Sequence, residues 1–233
     1  MKGAQGLIKG LAIAFAVFLV VGIGAAVFGM GALVGRILDG STGGDGEWSE
    51  AIIGDRGDFE ELSIEVGATN VRIERGDGFQ ILADEEVIEF RRVGDKIYLE
   101  EKDRGWFGSW DKIGGELKVI LPRDMRSLRK VEIDAGAGTV YAEGIFADEV
   151  KIELGAGRAE FVGLVAKSRV KISGGAGHLV IREAELMNLD LDMGVGKVEI
   201  SGKIRGKGDV DAGVGKLEMA LKGGQDDYRM RFN

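Results

Sequence analysis

Residues 150–163 read VKIELGAGRAEFVG, and this pattern decides the fold class. Apolar and polar residues alternate from Val150 to Leu154, a Gly-x-Gly follows, and the alternation resumes at Ala159. A period of two is typical of half-buried β-strands, because successive side chains point to opposite faces. The stretch therefore predicts two short strands that meet at a glycine corner.

Copies of this pattern recur along the chain. The copy that starts at Leu62 has Thr69 in place of the second glycine. The other five have the corner glycines Gly136 and Gly138, Gly155 and Gly157, Gly175 and Gly177, Gly194 and Gly196, and Gly213 and Gly215. Their spacing is too short for a strand–helix–strand unit, which needs about 30 residues. One copy cannot bury its own apolar face, so the sequence predicts an all-β domain, a parallel β-solenoid (β-helix) of 19–20-residue coils.

The segment between Gly67 and Gly136 departs from this regularity. Its length corresponds to about three coils and an excess, which maps onto a polar loop insertion at residues 101–115. Strands are predicted on either side of the loop, at Gln80–Ala83, Val87–Phe90, Lys96–Glu100 and Leu117–Leu121. The loop carries Trp106, Phe107 and Trp110, which are candidates for contact with a partner. The other interpretation is that the loop covers an open end of the solenoid.

The N-terminal part of the chain predicts a membrane anchor. Residues 10–35 form an uninterrupted run without a charge, and a helix of that length reaches about 39 Å, beyond the roughly 30 Å hydrocarbon core. The apolar region of a cleaved signal peptide is shorter, about 7–15 residues. We therefore expect a cytoplasmic N-terminus at residues 1–9, a transmembrane helix at 10–35, a flexible linker at 36–58 and an extracytoplasmic domain at 59–233.

The flanking charges set the predicted orientation. Lys2 and Lys9 precede the apolar segment, and Arg36 follows it together with the acids Asp39, Asp45, Glu47 and Glu50. The bias is small, and the more basic side of such a segment is usually cytoplasmic. The expected location is the cell membrane, spanned once, with the lipid bilayer as partner of residues 10–35. Small residues spaced by four within that segment allow close helix packing, which indicates homo-oligomerisation through the helix.

Composition excludes several classes of function. The chain has no cysteine and a single histidine, His178, so disulfides, thiol nucleophiles and two-imidazole mechanisms are absent. A net charge of −8 disfavours nucleic acid as a partner. No Gly-x-Ser-x-Gly occurs, and the glycine pairs lack the third glycine and helix of a phosphate loop. No catalytic residue and no cofactor is predicted.

Four aspartates are the metal candidates. Asp190 and Asp192 are followed one copy later by Asp209 and Asp211, so two outward acidic pairs should lie next to each other. Carboxylate oxygens are the ligands that Ca²⁺ prefers. Charged runs are more often solvated faces, and that interpretation leaves the chain without a metal.

The last residues continue the alternation. Tyr228, Met230 and Phe232 follow Gly208, Val210 and Ala212 by one copy length, as another first strand would. The next corner glycine would fall at residue 233, where an asparagine stands. We expect either a cap without a return strand or a sequence cut short.

The chain resembles a family of bacterial adhesin-like proteins built from β-strand repeats, most of them of unknown function. The resemblance covers residues 59–232 and the N-terminal apolar segment. It is carried by the repeated strand–Gly-Ala/Val-Gly–strand units, by GGELKVILP at residues 114–122 and by GGQDDYRM at residues 223–230. It implies a membrane-anchored extracytoplasmic β-helix of Gram-positive and related bacteria, in some cases linked to envelope-stress signalling, with no established catalytic residues.

These observations predict a non-enzymatic cell-envelope protein, an adhesin-like interaction scaffold or an envelope sensor. Its expected partner is an envelope protein or a cell-wall polysaccharide. The alternative is a carbohydrate-active enzyme, because polysaccharide lyases and hydrolases also use β-helix scaffolds; that alternative depends on analogy of fold alone.

Overall fold

The computed structural model describes residues 59–102 and 115–223, in which all regular secondary structure is β. The strands are β1 (Glu61–Val66), β2 (Asn70–Gly76), β3 (Gln80–Ala83), β4 (Ile88–Val93), β5 (Lys96–Glu101), β6 (Glu116–Pro122), β7 (Leu128–Glu143), β8 (Phe146–Val162) and β9 (Val165–Leu221). Each arises where apolar and polar residues alternate, because one side of the strand then faces the core and the other faces water. The predicted all-β class is confirmed.

Successive copies pair in parallel and in register. Val131 in β7 is the partner of Val150 in β8, which is the partner of Val170 in β9. The pairing continues through the corners, where Gly157 and Gly177 are partners. The spacing of the copies in sequence is therefore the register offset between neighbouring strands.

The inward positions of these strands form one aliphatic core. Phe161, one of the largest fully buried side chains, is 0% exposed. Its neighbours in the core come from the same alternating positions: Val131, Ile133, Val140, Val150, Ile152, Ala159, Val170, Ile172, Leu179, Ile181, Leu189, Leu191, Val198 and Ile200. Burial of this apolar area is the main stabilising term, and it leaves the outward positions free to carry charges.

The first copy does not lie where sequence order places it. Leu62 in β1 pairs with Val131 in β7 on one side and with Ile97 in β5 on the other. The prediction of about three coils between Gly67 and Gly136 is therefore wrong. After β2, the chain forms β5 and β6, which pair with β1 and β2 on one side. It then forms β7, which pairs with β1 and β2 on the other side. A repeat spacing cannot reveal this order, because it records lengths and not which neighbour a strand chooses.

The strands β3 and β4 close that end of the sheet in the antiparallel sense. Ile81 of β3 pairs with Val119 of β6, and Phe90 of β4 pairs with Leu99 of β5. Strands are found at all four predicted places, with β3 at the predicted bounds. Their direction was not predictable, because alternation has the same period of two in parallel and antiparallel strands.

Several predictions fall on residues outside the described ranges. These are the cytoplasmic residues 1–9, the helix at 10–35, the linker at 36–58, the aromatic residues Trp106, Phe107 and Trp110, and the strand at 228–232. Within the described part of the chain, no helix has the length and apolar character that crossing a bilayer requires.

Candidate interaction surface

The glycine corners are built for backbone packing. Gly157 has φ +140°, and positive φ recurs at the second glycine of each other pair: Gly138, Gly177, Gly196 and Gly215. A Cβ on the first glycine would meet the carbonyl oxygen of the previous corner, at 2.8 Å for Gly194 against Gly175. Only glycine satisfies both conditions. The first member of a pair therefore needs glycine for close approach alone, whereas the second needs it both for close approach and for its positive φ.

A carboxylate caps the first corner. Glu101 Oε2 accepts the backbone N–H groups of Gly67 at 2.8 Å, Ala68 at 3.0 Å and Thr69 at 3.1 Å. On the other side of the same corner, Gly67 O accepts the N–H of Ala137 at 2.6 Å. Partial burial raises the pKa of Glu101, but the hydrogen-bond donors of Ala68, Thr69 and Gly67 together lower it more, so its pKa lies below the ordinary value. Glu101 thus accepts, at the first corner, hydrogen bonds of the kind that a backbone carbonyl of the preceding corner accepts in the next copy.

One outer face carries a row of acids at equivalent positions of neighbouring strands, interrupted once by Ser173; we call it the acidic column. Pairing places Glu65 beside Glu100 and Asp134, and Asp134 beside Glu153. Paired residues point to the same face about 5 Å apart. Glu89 lies beside Glu100 in the same way, and two aspartates continue the copy spacing beyond Ser173. The members of the acidic column are Glu89, Glu100, Glu65, Asp134, Glu153, Asp192 and Asp211.

The candidate metal residues belong to this face. Asp192 and Asp211 are the last members of the acidic column, and Asp190 and Asp209 lie two positions earlier on their strands; all four are exposed. Lys207 reaches Asp209 at 3.4 Å. Among residues 59–102 and 115–223, no three His, Cys, Asp or Glu side chains are grouped as metal ligands would be.

The second outer face carries paired charges around the single histidine. Glu199 Oε1 lies 2.6 Å from Nε2 of His178 and 2.8 Å from Nζ of Lys197. The same Nζ lies 3.2 Å from Glu218, which Lys216 also contacts. His178 and Lys197 stand at equivalent positions of consecutive copies. The in-register pairing therefore brings together charges that lie a full copy apart in sequence.

The cations next to Glu199 hold it ionised. Its pKa falls to about 2, first because Lys197 donates a hydrogen bond to it and then because His178 does. The pKa of Glu218 is lowered as well, by Lys216 and then by Lys197. Neither carboxyl group retains a proton near neutral pH.

A shallow depression of about 430 Å³ lies beside this cluster. The residues that line it include Val180, Arg182, Glu199, Ser201, Glu218 and Ala220. Ser201 and Ala220 are small, whereas Arg182 stands out with 51% of its side chain exposed and forms an ion pair with Glu160. The depression therefore forms where the small side chains of Ser201 and Ala220 lie between longer charged side chains.

Sequence reasoning selected four aspartates and missed most of these partners. It used His178 to exclude mechanisms with two imidazoles, whereas the structure leaves 30% of that side chain exposed and pairs it with Glu199. The contacts on the second face could have been predicted from the sequence, because each residue lies beside its equivalent in the next copy of the repeat. The acidic column was not recoverable in full, because β5, β1 and β7 do not follow sequence order.

Comparison with known proteins finds only distant likeness. No protein-family model matches the chain, and no curated protein matches it. The chain is similar to the crystal structure of a candidate cell adhesion protein from Clostridium sporogenes, with 15% identity, a TM-score of 0.44, and coverage of 73% of this chain and 97% of that one. It is also similar to that of a candidate adhesin from Bacteroides fragilis, with 13% identity, a TM-score of 0.27, and coverage of 70% and 93%.

Proposed function

We propose that the chain is a non-enzymatic, membrane-anchored cell-envelope protein whose extracytoplasmic domain is a parallel β-solenoid and acts as an interaction scaffold. The in-register pairing of successive copies supports the solenoid. Extended stacked repeats present long uniform surfaces, which suit extended partners. The partner we propose is an envelope protein that presents a basic segment.

The acidic column is the observation that carries this proposal. Its carboxylates follow one another at the strand spacing of about 4.8 Å, except where Ser173 stands between Glu153 and Asp192. Glu65, Asp134, Asp192 and Asp211 are exposed, while Glu100 and Glu153 each have a cation at about 3 Å. A row of this kind complements a basic chain laid along it, and such complementarity speeds association and selects partners.

A peptide-binding measurement tests the surface. The full chain, reconstituted in nanodiscs of neutral lipid, is titrated with an oligolysine peptide and with oligoglutamate of the same length. We expect saturable binding of oligolysine that weakens steeply with salt. Replacing Asp134→Asn together with Glu65→Gln should weaken it about tenfold, whereas Glu149→Gln, an exposed acid on the same face but off the column, should not. Equal affinity in the column variant and the control would remove the acidic column as the site.

The depression beside Glu199 is the specific observation that favours the alternative, a carbohydrate-active enzyme. Glycoside hydrolysis needs two carboxyl groups, one of which stays protonated near neutral pH to act as general acid. The lowered pKa values of Glu199 and Glu218 oppose that role. Incubation of the chain with peptidoglycan sacculi, followed by measurement of released reducing ends, decides between the two. Release of reducing ends by the native chain that is lost in Glu199→Gln would overturn the scaffold proposal and support the enzyme.

Membrane anchoring forms a separate part of the proposal, supported by the uncharged run at residues 10–35. The chain should resist alkaline carbonate extraction from membranes, and deletion of residues 10–35 should release it. Protease added to intact cells should digest residues 59–233 if the N-terminus is cytoplasmic. Protection of that domain in intact cells would reverse the orientation.

A further inference from the structure

The copy at residues 208–221 is the last that the structure describes, and it leaves core positions open. Leu217 is 37% exposed, whereas Val198, its equivalent one copy earlier, is 1% exposed. Val210 and Met219 are only partly buried, although Leu191 and Ile200 before them lie in the core. Each copy is covered by the next one, so these apolar side chains require a further strand to cover them.

The same copy also ends the acidic column. Asp209 and Asp211 are exposed and lie beside Asp190 and Asp192 of the previous copy. The Gly213 corner lies against the Gly194 corner, where an added Cβ would be 2.7 Å from the Gly194 carbonyl oxygen. Whatever covers this end must therefore bring apolar side chains to the inner positions and positive charge to the outer ones.

The path of the chain points to the occupant. The N–H of Lys222 donates to Gly202 O at 2.7 Å, so the chain has already begun another layer, one copy length further on. If the chain keeps the offset that separates Gly202 from Lys222, residues 228, 230 and 232 become the strand partners of residues 208, 210 and 212. The residues there are Tyr228, Met230 and Phe232, all large and apolar.

The outward positions match as well. The same offset places Arg229 on Asp209 and Arg231 on Asp211. Two arginines there would add positive charge where Asp190, Asp192, Asp209 and Asp211 lie together and where Lys207 lies 3.4 Å from Asp209. Directly opposed residues of opposite charge stabilise a strand pair, while like charges destabilise it.

We propose that residues 224–233 bind to this end as an added parallel strand on residues 208–212, with Arg229 and Arg231 in ion pairs with Asp209 and Asp211. The segment covers Val210 and Ala212, the inner positions of the first strand of this copy, and uses the backbone groups of residues 208–212. It thereby removes an edge at which a second chain could pair. Leu217 and Met219 lie on the second strand of the copy, beyond the reach of the segment. In this proposal Asp209 and Asp211, two of the four candidate metal residues, belong to a docking surface for the chain's own C-terminal segment.

Hydrogen exchange of the full chain in nanodiscs tests the proposal. In the native protein, the amides of residues 208–212 and 228–232 should be protected together. The variant Asp209→Arg with Asp211→Arg should accelerate exchange in both segments by about tenfold or more. Adding Arg229→Asp with Arg231→Asp should restore most of the protection, because the opposed charges are again complementary. Asp124→Arg, a charge reversal at an exposed site in the turn after β6, is the matched control.

Each outcome bears on the proposal. Restoration in the fourfold variant supports it, since a general loss of folding would not be repaired by two further charge reversals. Unprotected amides at 228–232 in the native protein overturn it. So does equal exchange of residues 208–212 in the native protein and in a chain that lacks residues 224–233. Protection that disappears on dilution would overturn it too, by identifying a second copy of the chain as the occupant.

Discussion

Glu101 Oε2 accepts the N–H of Gly67 at 2.8 Å, although the two residues are far apart in sequence. The same oxygen also receives the next two amides of the corner. In later copies, as at Ala137 on Gly67, the acceptor is a backbone carbonyl of the corner before. A side chain therefore ends a series of hydrogen bonds that the backbone otherwise continues.

Replacing Glu101→Gln should destabilise the domain by about 1.5 kcal/mol, the lower end for hydrogen bonds to a charged acceptor, because the carboxylate is partly exposed. The neutral amide oxygen is a weaker acceptor for three N–H donors. The urea midpoint, followed by far-ultraviolet circular dichroism of the full chain, measures the change. Glu89→Gln, an exposed acid of the same face, is the control, and an equal shift in both variants would contradict the prediction.

The contribution of Glu101 should depend on pH in one direction. Its pKa is lowered in the folded state, so the carboxylate stabilises the fold above the unfolded value and loses this effect as pH falls through the folded value. The difference in stability between the native chain and Glu101→Gln should therefore be constant at neutral pH and shrink below the ordinary glutamate pKa of 4.5. A difference that grows on acidification would show that the sign is wrong.

Replacing Gly157→Ala should cost about 3 kcal/mol, because its φ of +140° is strained for any residue with a Cβ. The new methyl group would also overlap the carbonyl oxygen of Gly138 in the neighbouring corner. Gly78→Ala is the control, since nothing lies within 4 Å of a Cβ at that turn. Urea midpoints of the two variants give the comparison. A loss in Gly157→Ala no larger than in the control would refute the assigned role of the corner.

The ionisation of Glu199 should respond to Lys197. Its pKa of about 2 depends first on the hydrogen bond from that lysine, so Lys197→Ala should raise the pKa toward the ordinary value of 4.5. Carbon-13 NMR titration of the side-chain carboxyl groups measures it. Lys171→Ala, which removes an exposed lysine from the other face, should leave the Glu199 titration unchanged. No change in either variant would mean that the ion pair does not persist in solution.

Much of the local architecture was predictable from residue types. Gln80–Ala83 was predicted at its observed bounds, because alternation within a strand is a local property. The inward positions of the copies from Val131 to Ile200 are buried as the period of two requires, except Leu154, which is partly buried. The sites on the outer faces were less accessible to prediction. His178 and Glu199 belong to consecutive copies, and their contact exists only because neighbouring copies align.

The sequence by itself determined that the described chain folds as β-strands, which side chains face inward, and where glycine is required. Those properties depend on alternation and on local backbone conformation. Only the tertiary structure decided that β1 lies between β5 and β7, that β3 and β4 run antiparallel, and that Glu101 caps the corner of Gly67. The strand order, the strand directions and the Glu101 contact depend on which edge of the sheet is still unpaired when later residues join it. An unpaired edge exists only in the assembled sheet, so the sequence pattern does not reveal it.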